Sequence, residues 1–286
     1  MEAEKVVIRV PADAGNWGDA VVLDGQRVDA IELDLTDVRF PDPLLLIRLR
    51  AFIDWHCARG GEVHVTPPRL ATARTYIERM HLGSDLPAGC VCDLGMLGAD
   101  EHSPVLIPIR RLRCPVDGDE LERELEDLYL GHFDGPLAKL ADAFTITVGE
   151  ISDNATTHGH VDGSVAYVAA QRYQQSRCVL AIGDLGIGIP THMRQQSPGL
   201  QNDGDAIREA TKEGQTGTGL SERGYGYQNV IEALREPQVP WGELRIWSGA
   251  GRFRIETQDG TQLRRRAWSV EDATEGAWIR LDLLGR

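Results

Sequence analysis

At 286 residues the chain has room for one large domain or two ordinary ones, and 42% hydrophobic with 26% charged residues is the composition of a folded protein with a real core. The 30 basic and 44 acidic residues leave a formal net charge of −14. A surface that acidic repels phosphate backbones and anionic lipid, which excludes nucleic acid and membrane surfaces as expected partners.

No stretch approaches the roughly 18 unbroken apolar residues of a membrane helix. The opening MEAEKVVIRV carries acidic residues ahead of a strand pattern rather than a secretory signal, so a cytoplasmic location is expected. Residues 6–10 and 21–23 read as short strands. Residues 29–38 read as a longer one, because Ile31, Leu33 and Leu35 alternate with Glu32, Asp34 and Thr36. Phe40-Pro41-Asp42-Pro43 then forms a turn into a helix N-terminus. Residues 44–57 place Leu45, Leu46, Leu49, Phe52, Ile53 and Cys57 at helical spacing, and Gly60-Gly61 ends that helix. A strand at 62–66 and a helix at 71–80 come next, so the first part reads as a small α/β domain.

This stretch resembles the STAS domain of anti-anti-sigma factors over roughly residues 5–85. The resemblance rests on D-L-T-D-V-R-F-P-D-P at residues 34–43, the helix after it, and the return through Arg59-Gly60-Gly61-Glu62-Val63. Phospho-switched members carry a hydroxyl residue at the turn. Here the run is Asp42-Pro43-Leu44, which implies a docking or structural module in place of a phospho-switch.

Residues 84–119 read as mixed loop with one strand at 105–109, and Pro115-Val116-Asp117-Gly118-Asp119 marks a boundary. The expected division is a STAS-like domain at 1–95, a linker with a strand at 96–118, and a second domain at 119–286. Residues 120–130 form an amphipathic helix by pattern. The five cysteines include no CxxC pair and read as reduced, buried or half-buried thiols. The chain has three lysines, Lys5, Lys139 and Lys212, none placed for a P-loop.

A helical stripe through Leu137, Leu140, Phe144, Val148, Ile151 and Ala155 brings Glu150 and Asn154 onto one face, a turn apart. A carboxamide oxygen there suits magnesium, and a carboxylate there can orient or deprotonate a hydroxyl. His158 sits one turn further along. Residues 163–172 and 177–182 read as a hairpin whose second strand runs into Asp184-Leu185-Gly186-Ile187-Gly188-Ile189-Pro190. Glycines at alternate positions admit a flat ligand close to the backbone, and an aspartate at the strand end can accept from an exocyclic amine. Pro190 reads as interrupting any helix after this turn, which argues against the dinucleotide fingerprint. A glycine-rich stretch occupies 214–226. Of its two G-x-G pairs, Gly224/Gly226 precedes a helix at 227–234 and is assigned to phosphate, and Gly217/Gly219 to a lid.

Three motifs in this order resemble those of the GHKL ATP-binding fold shared by gyrase, Hsp90, histidine kinases and anti-sigma factor kinases. E-I-S-D-N-A-T-T-H-G at 150–159 is similar to the N box, D-L-G-I-G-I at 184–189 to the G1 box, and R-G-Y-G-Y at 223–227 to the G2 box. The resemblance covers residues 120–286 and implies an α/β sandwich in which a mixed sheet is covered by helices. It implies ATP and Mg as cofactors, with Asn154 on magnesium and Glu150 as catalytic base. Asp184 would read the adenine amino group, Gly186 and Gly188 would let the backbone approach, and Gly224 and Gly226 would face phosphate.

The N-A-x-x-H-G ending is closest to the anti-sigma serine kinases, so the implied function is γ-phosphoryl transfer to a regulatory protein partner of sigma-factor or STAS type. A nucleotide-gated ATPase that dimerises on ATP, and a non-catalytic nucleotide-binding docking module, stay open beside it. Tyr227 stands where leucine is usual, and Ala277 stands where the family commonly has threonine. His132 lacks the pattern of a phosphoacceptor histidine, which argues against autophosphorylation.

Overall fold

The computed structural model describes residues 5–11, 28–95, 97, 105–113, 117, 120–121, 123, 166–173, 177–212, 226–236 and 239–284. Within them the chain builds two sheets, one parallel and one antiparallel. Strands β1 (Lys5–Arg9), β2 (Ala30–Asp34), β3 (Glu62–Thr66) and β4 (Cys90–Cys92) pair in parallel in the order β1-β2-β3-β4. Helix α1 (Pro43–Ala58) joins β2 to β3, and α2 (Ala71–Arg79) joins β3 to β4. Each strand lies beside its predecessor, so right-handed crossovers put both helices on the same face. The two-residue alternation read from the sequence is the burial pattern observed. Ile31, Leu33, Val63 and Val65 are buried, while Val7 and Val91 on the other face are exposed. Strand β4 is not anticipated by the sequence, being three residues long and too short to show a period.

Strands β5 (Val105–Leu112), β6 (Ala166–Tyr173), β7 (Arg177–Asp184), β8 (Trp241–Gln258) and β9 (Thr261–Leu284) form the second sheet in the order β5-β6-β7-β9-β8. The expected sheet here is mixed. Every described pairing is antiparallel instead, because β6–β7 and β8–β9 are neighbours that succeed one another directly and β9 returns to lie against β7. Helices α3 (Gly188–Gln196), α4 (Asp203–Ala210) and α5 (Gly226–Leu234) accompany this sheet. Ile207 of α4 and Val230, Ile231 and Leu234 of α5 pack with Leu180, Ile182, Ile246, Phe253 and Ile279 in one core.

Helix α1 covers the opposite face of that sheet. It packs on β6 and β7 as well as on β3, and Tyr167, Ala169, Ala181 and Trp278 of the second sheet belong to the same core as Leu33, Leu46, Ile53 and Val65. The layers therefore run parallel sheet, helix, antiparallel sheet, helix. The sequence stripe suggests one apolar side for α1. In fact Leu44, Ile47, Arg48, Arg50 and Ala51 are also buried, so the helix is enclosed nearly all round. Its start is set locally. Asp42 is the N-cap, its Oδ1 accepting the Leu45 N–H at 2.9 Å, with Pro43 at the first helical position.

Ion pairs fasten the two units along α1. The second carboxylate oxygen of Asp42 bonds Arg280 of β9, which also bonds Asp282, itself held by Arg177. Further along, Asp54 accepts from the Tyr167 hydroxyl at 2.8 Å and from Arg50 and Arg111. Because α1 forms one core with residues of both sheets, the two units should unfold together. Ile47→Ala is expected to cost about 2–5 kcal/mol and to shift a single calorimetric transition. Two separated transitions in the variant or the wild type would show that the units are energetically independent.

Candidate functional site

Strand β7 carries alternate residues into the two cores. Cys178, Leu180 and Ile182 face the core under α4 and α5, and Ala181 faces the α1 side. Continuing that period puts Asp184, at the end of β7, on the face toward α5. It is 5% exposed. Its Oδ1 accepts the Gly186 N–H at 2.6 Å, which closes the turn after the strand. Burial pushes its carboxyl up to about 7, and the Gly186 hydrogen bond opposes that rise. Directly opposite Asp184 in β9 stands Ala277, and opposite Ala277 in β8 stands Ser248. Directly paired residues share a face, so the three form one row.

Ser248 is a residue that the sequence does not single out, since a serine within a strand gives no signal. It is fully buried. Its hydroxyl donates to the Gly276 carbonyl at 2.6 Å and accepts the Ile189 N–H at 2.9 Å, so it ties the start of α3 to β9. Gly188 completes the turn at φ +74°, and a Cβ there would stand 2.8 Å from the Ser248 Oγ and 2.9 Å from the Gly276 oxygen. Neither the conformation nor the space admits a side chain. Pro190 does not interrupt a helix here, contrary to the sequence expectation. It lies in the first turn of α3, where a missing N–H costs no internal hydrogen bond.

Of the predicted site residues, the structure brings together Asp184, Gly186 and Gly188. Gly226 opens α5, and its neighbour Tyr227 packs against the same core. Burial, and after it the Asp184 carboxylate, push the Tyr227 hydroxyl up. Glu150, Asn154, His158, Gly217, Gly219 and Gly224 lie outside the described residues. Among the described residues no group of three or more His, Cys, Asp or Glu could hold a metal ion. The described part suits a flat ring bearing an exocyclic amine: a buried acceptor, a turn with glycine at 186 and 188, and apolar neighbours.

The same turn borders a cleft of about 380 Å³. Leu185, Gly186 and Ile187 form one wall of it, and Trp55 and Arg59 of the α1 end form another. The guanidinium of Arg59 lies 4.1 Å from the Trp55 ring centroid.

No protein-family model matches this chain, and no curated protein does. Among solved structures it is similar to the histidine kinase domain of a blue-light-activated histidine kinase from Erythrobacter litoralis, at 13% identity and TM-score 0.28 over 65% of each chain. It is also similar to the topoisomerase IV ATP-binding domain of Francisella tularensis, at 15% identity and TM-score 0.21 over 40% of this chain and 50% of that one. A third likeness is to the DNA gyrase B-subunit of Myxococcus xanthus, at 14% identity and TM-score 0.19 over 44% of this chain and 29% of that one. The chain thus spans less than two thirds of each, and TM-scores this low leave the site's own geometry as the ground for any assignment.

The buried carboxyl makes stability depend on pH. A carboxyl whose folded value is raised from 3.8 to about 7 leaves the fold most stable while it is protonated, and that advantage is lost as pH rises through about 7. Asp184→Asn keeps an acceptor for Gly186 and removes the charge. The variant should gain on the wild type by about 2–4 kcal/mol between pH 5 and pH 8, read from urea midpoints at each pH. A constant difference across that range would mean that Asp184 is solvated or paired in solution.

Proposed function

We propose that this chain binds Mg·ATP at the turn after β7 and passes the γ-phosphoryl group to a hydroxyl of a protein partner, in the manner of the anti-sigma serine kinases that its motifs resemble. One observation carries the reading. The aspartate of the first glycine motif ends buried in a turn with glycine at 186 and 188, and the tyrosine next to the second motif packs on the core that holds Ile182, two residues before that aspartate. In this reading Asp184 accepts from the adenine amino group. The Gly186–Gly188 turn passes close to the ring, and Gly226, at the start of α5, and Gly224 serve the phosphates.

Asn154 would hold magnesium, which when bound spreads the charge of the β- and γ-phosphates. Glu150 would take the proton of the attacking hydroxyl. The N-terminal layer serves as a structural module of STAS-like kind. Its turn residues Asp42, Pro43 and Leu44 are not a free docking surface, since Asp42 is engaged by Arg280 and Pro43 and Leu44 are buried.

A second reading, nucleotide binding without transfer, draws on Ala277. It faces Asp184 with a methyl group where a hydroxyl could have shared in holding the ring. Turnover separates the two.

A ligand that binds only the folded state raises its melting temperature. Mg·ATP in large excess should raise that of the wild type by several degrees, less so for Asn154→Ala, and not at all for Gly188→Ala, whose turn cannot form as observed. Labelled γ-phosphate should then appear on protein or as free phosphate. No shift in the wild type would remove the nucleotide reading, and a shift without label transfer or release would favour the binding module.

A further inference from the structure

Row by row, the second sheet carries its two functions on opposite faces. One residue before Asp184, the strands pair Tyr167 with Gly183, Gly183 with Trp278, and Trp278 with Trp247. This row faces α1, as the membership of Tyr167 and Trp278 in the α1 core shows. The next row along, Asp184, Ala277 and Ser248, faces the other way. The two rows share backbone at three strands, so whatever fixes the first fixes the second.

The first row is fixed from α1. The guanidinium of Arg48 lies 5.3 Å from the ring centroid of Trp247 and 5.3 Å from that of Trp278. Arg48 is 7% exposed, so the cation–π contact is desolvated and strong for its kind. Trp278 in turn lies against Gly183, where a Cβ would stand 2.4 Å from its ring. The chain of contact therefore runs from α1 through Arg48 and Trp278 to Gly183, whose next residue is Asp184. Two residues before Trp278, Gly276 passes so close that a Cβ would meet the Asp184 carbonyl oxygen.

We propose that Arg48 is a positioning residue for the nucleotide site: stacked with Trp278 and Trp247, it holds the ends of β7 and β9 in the register that aims Asp184. The inference rests on the nucleotide reading of Asp184, and it gives the N-terminal layer a part in that site without touching the ligand. The Arg48 contact and binding at Asp184 are then coupled, because each favours the same arrangement of residues 183–189 and 276–278.

The test compares Arg48→Met, which keeps the apolar stem and removes the cation, with Asp42→Asn, which keeps the helix cap and loosens α1 at Arg280, two residues further from the site. Both are made in the full chain. Hydrogen exchange of residues 183–189 is read without nucleotide, and Mg·ATP affinity separately, well below either melting temperature. In Arg48→Met, exchange at 183–189 should rise and affinity fall, each about tenfold, with partial recovery in Arg48→Lys. In Asp42→Asn both should match the wild type. Unchanged exchange at 183–189 in Arg48→Met overturns the proposal, as does a rise shared equally by all segments and by Asp42→Asn. If Arg48→Met does not fold, Arg48→Lys carries the same comparison, since lysine cannot span both rings. If the wild type binds no nucleotide, exchange alone decides: a rise confined to 183–189 sustains the positioning role while the nucleotide reading falls.

Discussion

Helix α1 lies between two sheets, and much of the remaining arrangement results from the absence of a water-facing side along most of its length. Arginines at positions 48 and 50 would ordinarily face solvent, and here each must be compensated within the protein. Arg48 is stacked with two tryptophans of the second sheet. Arg50 donates to the carbonyl oxygens of Ser84 and Asp85 at 2.6 Å each and to Asp54. Asp54 in turn gathers Arg111 and Tyr167 from the second sheet, so its charge is shared although burial pushes its carboxyl up. Packing drives α1 into place, and these partners choose the orientation in which it can stay.

A sheet covered on both faces has no spare side, and that is how the two halves of the molecule come to share strands. Strand β7 gives Cys178, Leu180 and Ile182 to the α4–α5 core and Ala181 to the α1 core, and the two-residue period divides Gly183 and Asp184 likewise. Gly183 is glycine because a tryptophan ring lies on it, and Gly188 is glycine because of its positive φ and its closeness to Ser248 and Gly276. The two glycines thus serve packing on one face and turn geometry on the other. Asp184 carries the cost of this burial in its raised carboxyl, as is common where a group is held ready for a ligand.

Much of the fold is legible in the sequence. The alternation in 29–38 and 62–66 locates β2 and β3, and Asp42-Pro43 locates the start of α1, because periods and caps are local properties. Glycines spaced around Asp184 mark the turn for the same reason. Strand β4 escapes because three residues show no period. Helix α3 escapes when Pro190 is weighed as a breaker without regard to its place in the first turn. Ser248 is illegible: its role comes from Gly276 and Ile189, residues 28 and 59 positions away.

The sequence by itself determined local elements such as β2, β3 and α1 and the glycine turn after β7, since caps, turns and hydrophobic periods act over a few residues. It could not show that α1 packs against both sheets, because an apolar helix records that it is buried and not against which surface. Nor could it show that Arg48 meets Trp247 and Trp278, or that Tyr227 packs on the core that holds Ile182. Those contacts depend on which sheet face each element covers and on strand register, quantities that exist only once distant segments have packed.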